Sequence, residues 1–402
     1  MLYGLSRLLS CARPLRVVKR PALAAALMAA VGLAGCGHGE RLAAAPADQL
    51  KHARVLGIAN GRFFVDEPGA MVQEGLRSVQ REASYHRTLG RDLPPASFLA
   101  LSGGGDDGAF GAGLLVGWSE RGDRPSFKLV TGISTGALIA PFAFLGRDYD
   151  DALTKVFTTI DQKDILEKRF ILAALTHDGL ADTAPLYHLI SRYLDEEMIA
   201  RIARGRLLLI ATTNLDAARP VIWNIGAIAK SGHSESLGLI RRILLASASI
   251  PGAFPPVMFD VETSSGRRQE LHVDGGAVAQ AFLYPPSVTV RGVAPSRRRT
   301  AYIIRNGRLA ATPEQTKRRT LDIAGRAIST LIASNGVGDL YRMYATTRRD
   351  GVAYNLAYIG DDFTEAYPGL FDRAYMNKLY EHGRAKARAG YPWRNAPPGL
   401  VR

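Results

Sequence analysis

Five residues, Gly132-Ile133-Ser134-Thr135-Gly136, restrict the fold of this chain more than any other stretch. The run before them, Phe127-Lys128-Leu129-Val130, is short, mostly apolar and strand-like, and the run after them, Ala137-Leu138-Ile139-Ala140, reads as helix. A serine between two such runs sits on a sharp strand-to-helix turn, and Gly132 and Gly136 flank it because a side chain would clash in so tight a bend. The turn holds the hydroxyl clear of the backbone, and the helix N-terminus adds positive potential behind it. Ordinary turns also carry G-x-S-x-G, so the nucleophile reading needs support from elsewhere in the chain.

Two further stretches supply it. Ser97–Ser102 reads as a buried strand, and a glycine run follows at once, Gly103-Gly104-Gly105-Asp106-Asp107-Gly108 and on to Gly113, before Leu114–Trp118 continues as helix. Strand, glycine loop and helix present backbone N–H groups to an anion. No Gly-Lys-Ser/Thr closes the loop, and Asp106 and Asp107 would repel a phosphate, so a P-loop is excluded. A dinucleotide fingerprint is a weak match and lacks an acidic partner after the next strand. The remaining candidate is an oxyanion hole, in which the N–H groups of Gly103, Gly104, Gly105 and Asp106 stabilise charge that exists only in a transition state. The third stretch is Leu271-His272-Val273 leading into Asp274-Gly275-Gly276, a carboxylate on a tight loop at a strand end. In open α/β sheets, sites form outside the carboxyl ends of strands, where all three stretches would meet.

The rest alternates. Helices are expected at Pro68–Leu89, Tyr149–Ile160, Pro185–Leu194, Leu239–Ala248, about Glu314–Ala345 and Phe371–Ala387. Strands are expected at Arg206–Thr213, Val221–Trp223, Tyr302–Arg305 and Asn355–Ile359. His272 precedes Asp274 by two positions, so on a regular strand it shares that residue's face and packs or hydrogen-bonds there.

The first forty residues read as a targeting segment. Arg7, Arg13, Arg16, Lys19 and Arg20 form a basic leader, Pro21–Ala34 is apolar and too short to span a bilayer comfortably, and Leu33-Ala34-Gly35-Cys36 resembles a bacterial lipobox. Cys11 lies in the leader, so Cys36 is the single cysteine of the mature chain and an intrachain disulfide is excluded there. Acylation of Cys36 gives it a role, with several attached chains holding the protein on a membrane surface. The net charge is +14, five of it in the leader. The excess that remains favours anionic partners; the export signal argues against nucleic acid and for a lipid surface. The expectation is an exported protein of the bacterial cell envelope, lipid-anchored to the outer membrane. Four segments follow: 1–35 as signal peptide, 36–95 as tether and helical extension, 96–290 as core, and 291–402 as strands and helices packed on the core.

Taken in order, the glycine loop, the elbow and the later Asp-Gly-Gly resemble the patatin-like phospholipase family. Phe98–Gly113 resembles its oxyanion block, Gly132–Gly136 its nucleophile block, Ala246–Pro256 (ASASIPGAFPP) its Ala/Pro/Phe segment and Val273–Gly276 its aspartate block. The resemblance covers roughly Phe98 to Pro286. It implies an α/β three-layer sandwich with a mostly parallel central sheet flanked by helices. It also implies a Ser134–Asp274 dyad that hydrolyses acyl esters of lipids without metal or other cofactor, supported by Gly108, Gly132, Gly136, Gly275 and Gly276. The chain departs from the family at Asp107, where the glycine block usually carries Arg or Lys. A Ser–Asp–His triad would need His382, the only histidine beyond Asp274. An anchored lipid-binding protein without chemistry is the alternative of a different class.

Overall fold

The computed structural model describes residues 41–165, 167–168, 181–204, 206–294, 296–310, 313 and 315–400. The leader, the apolar run and Cys36 lie outside them. Among the described residues a nine-stranded sheet runs β1 (Arg62–Phe64), β5 (Arg219–Asn224), β4 (Leu207–Asn214), β3 (Phe127–Gly132), β2 (Ala96–Leu101), β8 (Arg299–Arg305) and β9 (Ala353–Tyr358). A hairpin of β6 (Val257–Thr263) and β7 (Gly266–Asp274) joins the end of β4. The four pairings from β4 to β9 are parallel. Those of β1 with β5, β5 with β4, β4 with β7 and β6 with β7 are antiparallel. The architecture is thus α/β with a mostly parallel sheet between helical layers.

The parallel strands are apolar on both faces, as strands covered on both sides must be. In β2, Leu99 and Leu101 point into one core and Ala100 into the other; in β4, Leu208 and Ile210 oppose Leu209. One core holds α2 (Gly108–Arg121), α3 (Thr135–Leu145), α4 (Ser236–Ser247) and α6 (Arg373–Gly390). The other is covered by residues 281–290, by α5 (Thr320–Asp350) through Leu340 and Met343, and by α1 (Gly69–Thr88), of which only Met71 is buried. α2 and α6 lie backbone to backbone, because Gly113 faces the Tyr380 carbonyl, Gly117 the Arg384 carbonyl and Gly383 the Phe110 carbonyl. That contact brings the C-terminal segment against the glycine loop.

Two regions differ from expectation. The stretch read as a tether is pinned to the body from Arg41 onward: Arg41 pairs with Asp216 at 2.6 Å, the Leu42 N–H donates to Gln269 Oε1 at 2.9 Å, and Leu50, Ala53 and Val55 are buried. Its alanine-rich composition carries no amphipathic period, but its polar groups find partners on β7. The short strand read at Leu271–Val273 is the end of the nine-residue β7. Its polar first half is ordered by pairing with β6 rather than by burial. The long helix begins at Thr320 and runs to Asp350, where Gly351 at φ 67° caps it.

Candidate active site

Ser134 sits between β3 and α3 with φ 54° and ψ −126°. Positive φ is costly for a residue with a side chain, about 1–3 kcal/mol, and persists only where neighbours hold it. Here they do. The Ser134 N–H donates to Ser247 Oγ at 3.1 Å, and the Ser247 hydroxyl donates to the Ala211 carbonyl at 2.7 Å. The Ile133 N–H donates to the Leu101 carbonyl at 3.3 Å. A Cβ on Gly132 would sit 2.5 Å from the Gly136 carbonyl oxygen, and one on Gly136 would strike the Leu101 carbonyl. The elbow is therefore possible only with glycine on both sides of Ser134.

Asp274 arrives from β7, whose register places it opposite Thr212 of β4. Its N–H donates to the Ser249 carbonyl at 2.8 Å, and Thr213 Oγ1 donates to its carbonyl at 3.0 Å. Its Oδ1 accepts the Gly276 N–H at 2.7 Å, and the carboxyl also receives the Ser134 hydroxyl. Burial pushes the Asp274 carboxyl up to about 7, against the opposing pull of these two hydrogen bonds. Gly275 is needed because a Cβ there would lie 2.7 Å from the Ala211 carbonyl oxygen.

The glycine loop closes the site. A Cβ on Gly103 would stand 3.1 Å from Ser134 Cβ, and one on Gly108 would strike Thr135, so the loop lies directly on the elbow. Gly105 has φ 60°. The Gly103 N–H donates to the Gln280 carbonyl at 3.0 Å and is spent, which removes it from the expected set of oxyanion donors. Asp106 turns its own N–H toward its carboxylate. The N–H groups of Gly104 and Gly105 donate to no protein acceptor among the described residues, so these two remain for an anion.

Asp106 and Asp107 are anchors of the loop rather than repulsive defects. Asp106 Oδ2 accepts the Tyr367 hydroxyl at 3.0 Å and the Phe371 N–H at 2.9 Å. Asp107 Oδ1 accepts the Tyr375 hydroxyl at 3.3 Å. Burial and the neighbouring Asp106 push Asp107 up to about 7, while Tyr375, Arg308 and Arg305 oppose the rise. The loop's cations therefore come from the end of β8 and the turn that follows it, not from the loop itself.

Behind Asp274 lies a second, fully buried network. Trp223 Nε1–H donates to Thr212 Oγ1 at 2.8 Å; the Glu270 carboxylate can only accept, so the neutral His272 ring carries its proton on Nε2 and its Nδ1 accepts the Thr212 hydroxyl at 2.8 Å. That leaves His272 Nε2–H to face Glu270 Oε2 at 3.1 Å. Glu270 is held bidentately by Arg62 at 2.5 and 3.0 Å. His272 thus hydrogen-bonds within the strand's buried face, as expected. His382 stands on α6 beside Asp362, 3.7 Å away, and Phe363, with no hydrogen bond to Ser134 or Asp274 among the described residues. No three His, Cys, Asp or Glu side chains gather as a metal-binding group among those residues, and no described helix is long and apolar enough to cross a membrane.

Sequence reasoning missed Ser247, Gln280, Asn306 and Asp339. Asn306 binds Ser102 through two hydrogen bonds of 2.8 Å, and Asp339 accepts the Gln280 N–H at 2.6 Å. These side chains hold loop backbones rather than forming a motif, so only Ser247, within ASASIPGAFPP, lay in a stretch that stood out.

Residues 99–284 match the family model described as Patatin-like phospholipase. None of the curated proteins matches the chain. Among solved structures it is similar to VipD from Legionella pneumophila, with a TM-score of 0.37 and 12% identity over 74% of this chain and 67% of that one.

Proposed function

We propose that this chain, whose residues 99–284 match the patatin-like phospholipase model, is a lipid acyl hydrolase in which Ser134 and Asp274 hydrolyse a carboxylic ester through an acyl-enzyme. Asp274 takes the Ser134 proton as the hydroxyl oxygen attacks the ester carbonyl carbon. The N–H groups of Gly104 and Gly105 receive the negative charge on the former carbonyl oxygen, worth about 3–4 kcal/mol per donor. The intermediate collapses, the C–O bond to the alcohol breaks, and Asp274 returns the proton to the leaving alkoxide. Water, deprotonated by Asp274, then attacks the acyl-serine; the C–O bond to Ser134 breaks, Asp274 returns the proton to the serine oxygen, and the fatty acid is freed.

The observation that carries this reading is the contact of a positive-φ serine with a buried carboxyl whose pKa is pushed up to about 7. An ordinary aspartate is too weak a base for a hydroxyl; one raised to the working pH is matched to the task. The test is hydrolysis of nitrophenyl esters of several acyl lengths by the purified protein. Ser134→Ala and Asp274→Asn should each lower kcat/KM by about 10³-fold or more. Wild-type turnover no faster than that of the two variants would leave a lipid-binding protein without chemistry.

The same proposal places the enzyme on the bacterial envelope through an acyl anchor at Cys36, supported by the basic leader and apolar run before it. Cys36→Ser should abolish fatty-acid labelling of the exported protein; unchanged labelling would remove the anchor.

A further inference from the structure

The parallel strands have two ends, and the candidate dyad occupies only one. Toward the amino end, beside Ala96 and Phe98 of β2, Lys128 and Leu129 of β3 and Leu207 at the start of β4, lies a cavity of about 570 Å³. That is about 20 Å, the length of a six-residue strand, from the glycine loop. Its size falls within the ~300–1,000 Å³ of small-molecule pockets.

The wall facing the sheet is α1. Its apolar row, Val72, Leu76 and Val79, has helical spacing and lines the cavity, yet all three stay half-buried. Val72 packs on the cluster that holds Leu129, whereas Leu76 and Val79 belong to neither core cluster and line the space beside Phe98 and Leu207. Such a row is stabilised only when something apolar fills the gap.

The mouth is cationic. A polar vestibule of about 310 Å³ adjoins the cavity and shares Arg81, Arg206 and Lys230 with it. Arg204 adds a further cation at the cavity. Two acids line the space and both are paired: Glu82 of the cavity with Lys128 at 2.6 Å and Arg297 at 2.8 Å, and Glu74 of the vestibule with Arg77 at 2.9 Å and Arg81 at 3.1 Å, which neutralises Arg81 and leaves Arg204, Arg206 and Lys230 as the cations of the mouth. Arg206 donates to the Ser126 hydroxyl and to the Phe127 and Phe144 carbonyls, and to no carboxylate. Arg204 and Lys230 have no counter-ion among the described residues. An apolar chamber behind an under-neutralised basic mouth is complementary to an acyl chain with an anionic head.

We propose that this chamber binds one long-chain fatty acid anion, tail between α1 and the strand ends, carboxylate among Arg204, Arg206 and Lys230. This is a second site on the molecule and does not depend on the chemistry assigned to Ser134.

The experiment uses the full chain with Ser134→Ala, so that hydrolysis plays no part in the readout, titrated calorimetrically with palmitate below its micellar concentration. One palmitate per chain is expected. Gly75→Trp is the filling variant, because a Cβ there meets nothing within 4 Å and Gly75 lines the cavity. It should weaken binding at least tenfold. Arg204→Glu combined with Lys230→Glu, both exposed, should do the same without entering the core, and so keeps the test open if the tryptophan variant fails to fold. Hexadecanol, with the same tail and no charge, should bind at least tenfold more weakly than palmitate. Palmitate affinity untouched by both variants would place the fatty acid elsewhere, the catalytic cleft included, and overturn the proposal. So would equal affinity for hexadecanol. No uptake at all would also overturn it, leaving the chamber to the chain's own N-terminal segment or, if native mass spectrometry finds a dimer, to a second copy.

Discussion

Glu270 and Asp274 lie four residues apart on β7, both buried, yet their surroundings drive them in opposite directions. Burial pushes each carboxyl up. At Glu270 the His272 hydrogen bond and the charge and hydrogen bonds of Arg62 overcome it and hold the carboxyl at about 2. At Asp274 no cation intervenes among the described residues; a hydroxyl and one N–H are the partners its carboxyl finds there, and it stays at about 7. The first is a permanent anion that ties the N-terminal strand β1 to the hairpin. The second can gain and lose a proton near neutrality. What separates a structural acid from a candidate base here is not burial but what reaches the carboxyl: the His272 N–H and the Arg62 guanidinium at Glu270, neither of them at Asp274.

The largest expected effect breaks the first half of that comparison. Arg62→Met leaves Glu270 in a dry site without its guanidinium and with only the His272 N–H to hold it, a loss of about 3 kcal/mol, the lower end for a broken buried pair. Urea denaturation should show it. Arg62→Met with Glu270→Met should recover most of the loss, because replacing both partners by apolar groups is often close to neutral. A single-variant cost within the ~0.5 kcal/mol of an ordinary surface change would mean the pair holds nothing.

Next in size is the reverse test at Asp274. Its folded carboxyl titrates at about 7 against an ordinary 3.8, so between those values the folded state binds more protons than the unfolded one. Stability must therefore fall as pH rises through that window, with the full cost present above about 7. Asp274→Asn removes the buried charge and should stabilise the protein at pH 8 by about 2 kcal/mol while abolishing turnover, with the gain vanishing below pH ~4. Equal stability of the two proteins at pH 8 would show that the carboxylate is solvated in the fold.

The same property sets the rate profile. For a neutral ester, kcat/KM should fall tenfold per pH unit below about 7, or ~1.4 kcal/mol per unit. A profile flat down to pH 5 would assign the proton transfer to an acid of ordinary strength.

The parts of this site legible in the sequence were those that steric need writes into residue type. Gly132, Gly136 and Gly275 face carbonyl oxygens that no side chain could approach, so the elbow and the Asp-Gly-Gly turn stand out as motifs, as does the strand before each. What could not be read was pairing across long separations. Arg62 and Glu270 are 208 positions apart, and nothing in Arg62-Phe63-Phe64 marks that arginine from the many others. Asp106 and Asp107 looked hostile to an anion because Tyr367, Phe371 and Tyr375, which absorb them, come from the far end of the chain. Gly103 looked like a donor because sequence does not reveal that its N–H is taken by Gln280.

The smallest effect sharpens the comparison at its other partner, the serine. Among the described residues Ser247 is the side chain that hydrogen-bonds the Ser134 backbone, accepting its N–H and passing a hydrogen bond to Ala211. Ser247→Ala leaves that buried N–H without its acceptor, a loss of about 1 kcal/mol. Ser249 is a fair control: its hydroxyl bonds only to Leu245 within the local turn, and its carbonyl, which accepts the Asp274 N–H, survives the change to alanine. Both variants should lose similar stability. Only Ser247→Ala should also lower kcat, by about tenfold at little change in KM, because a positive-φ residue released from its clamp relaxes away from Asp274. If the two variants lower kcat alike, the clamp is ordinary packing, and the serine's position rests on the glycines alone.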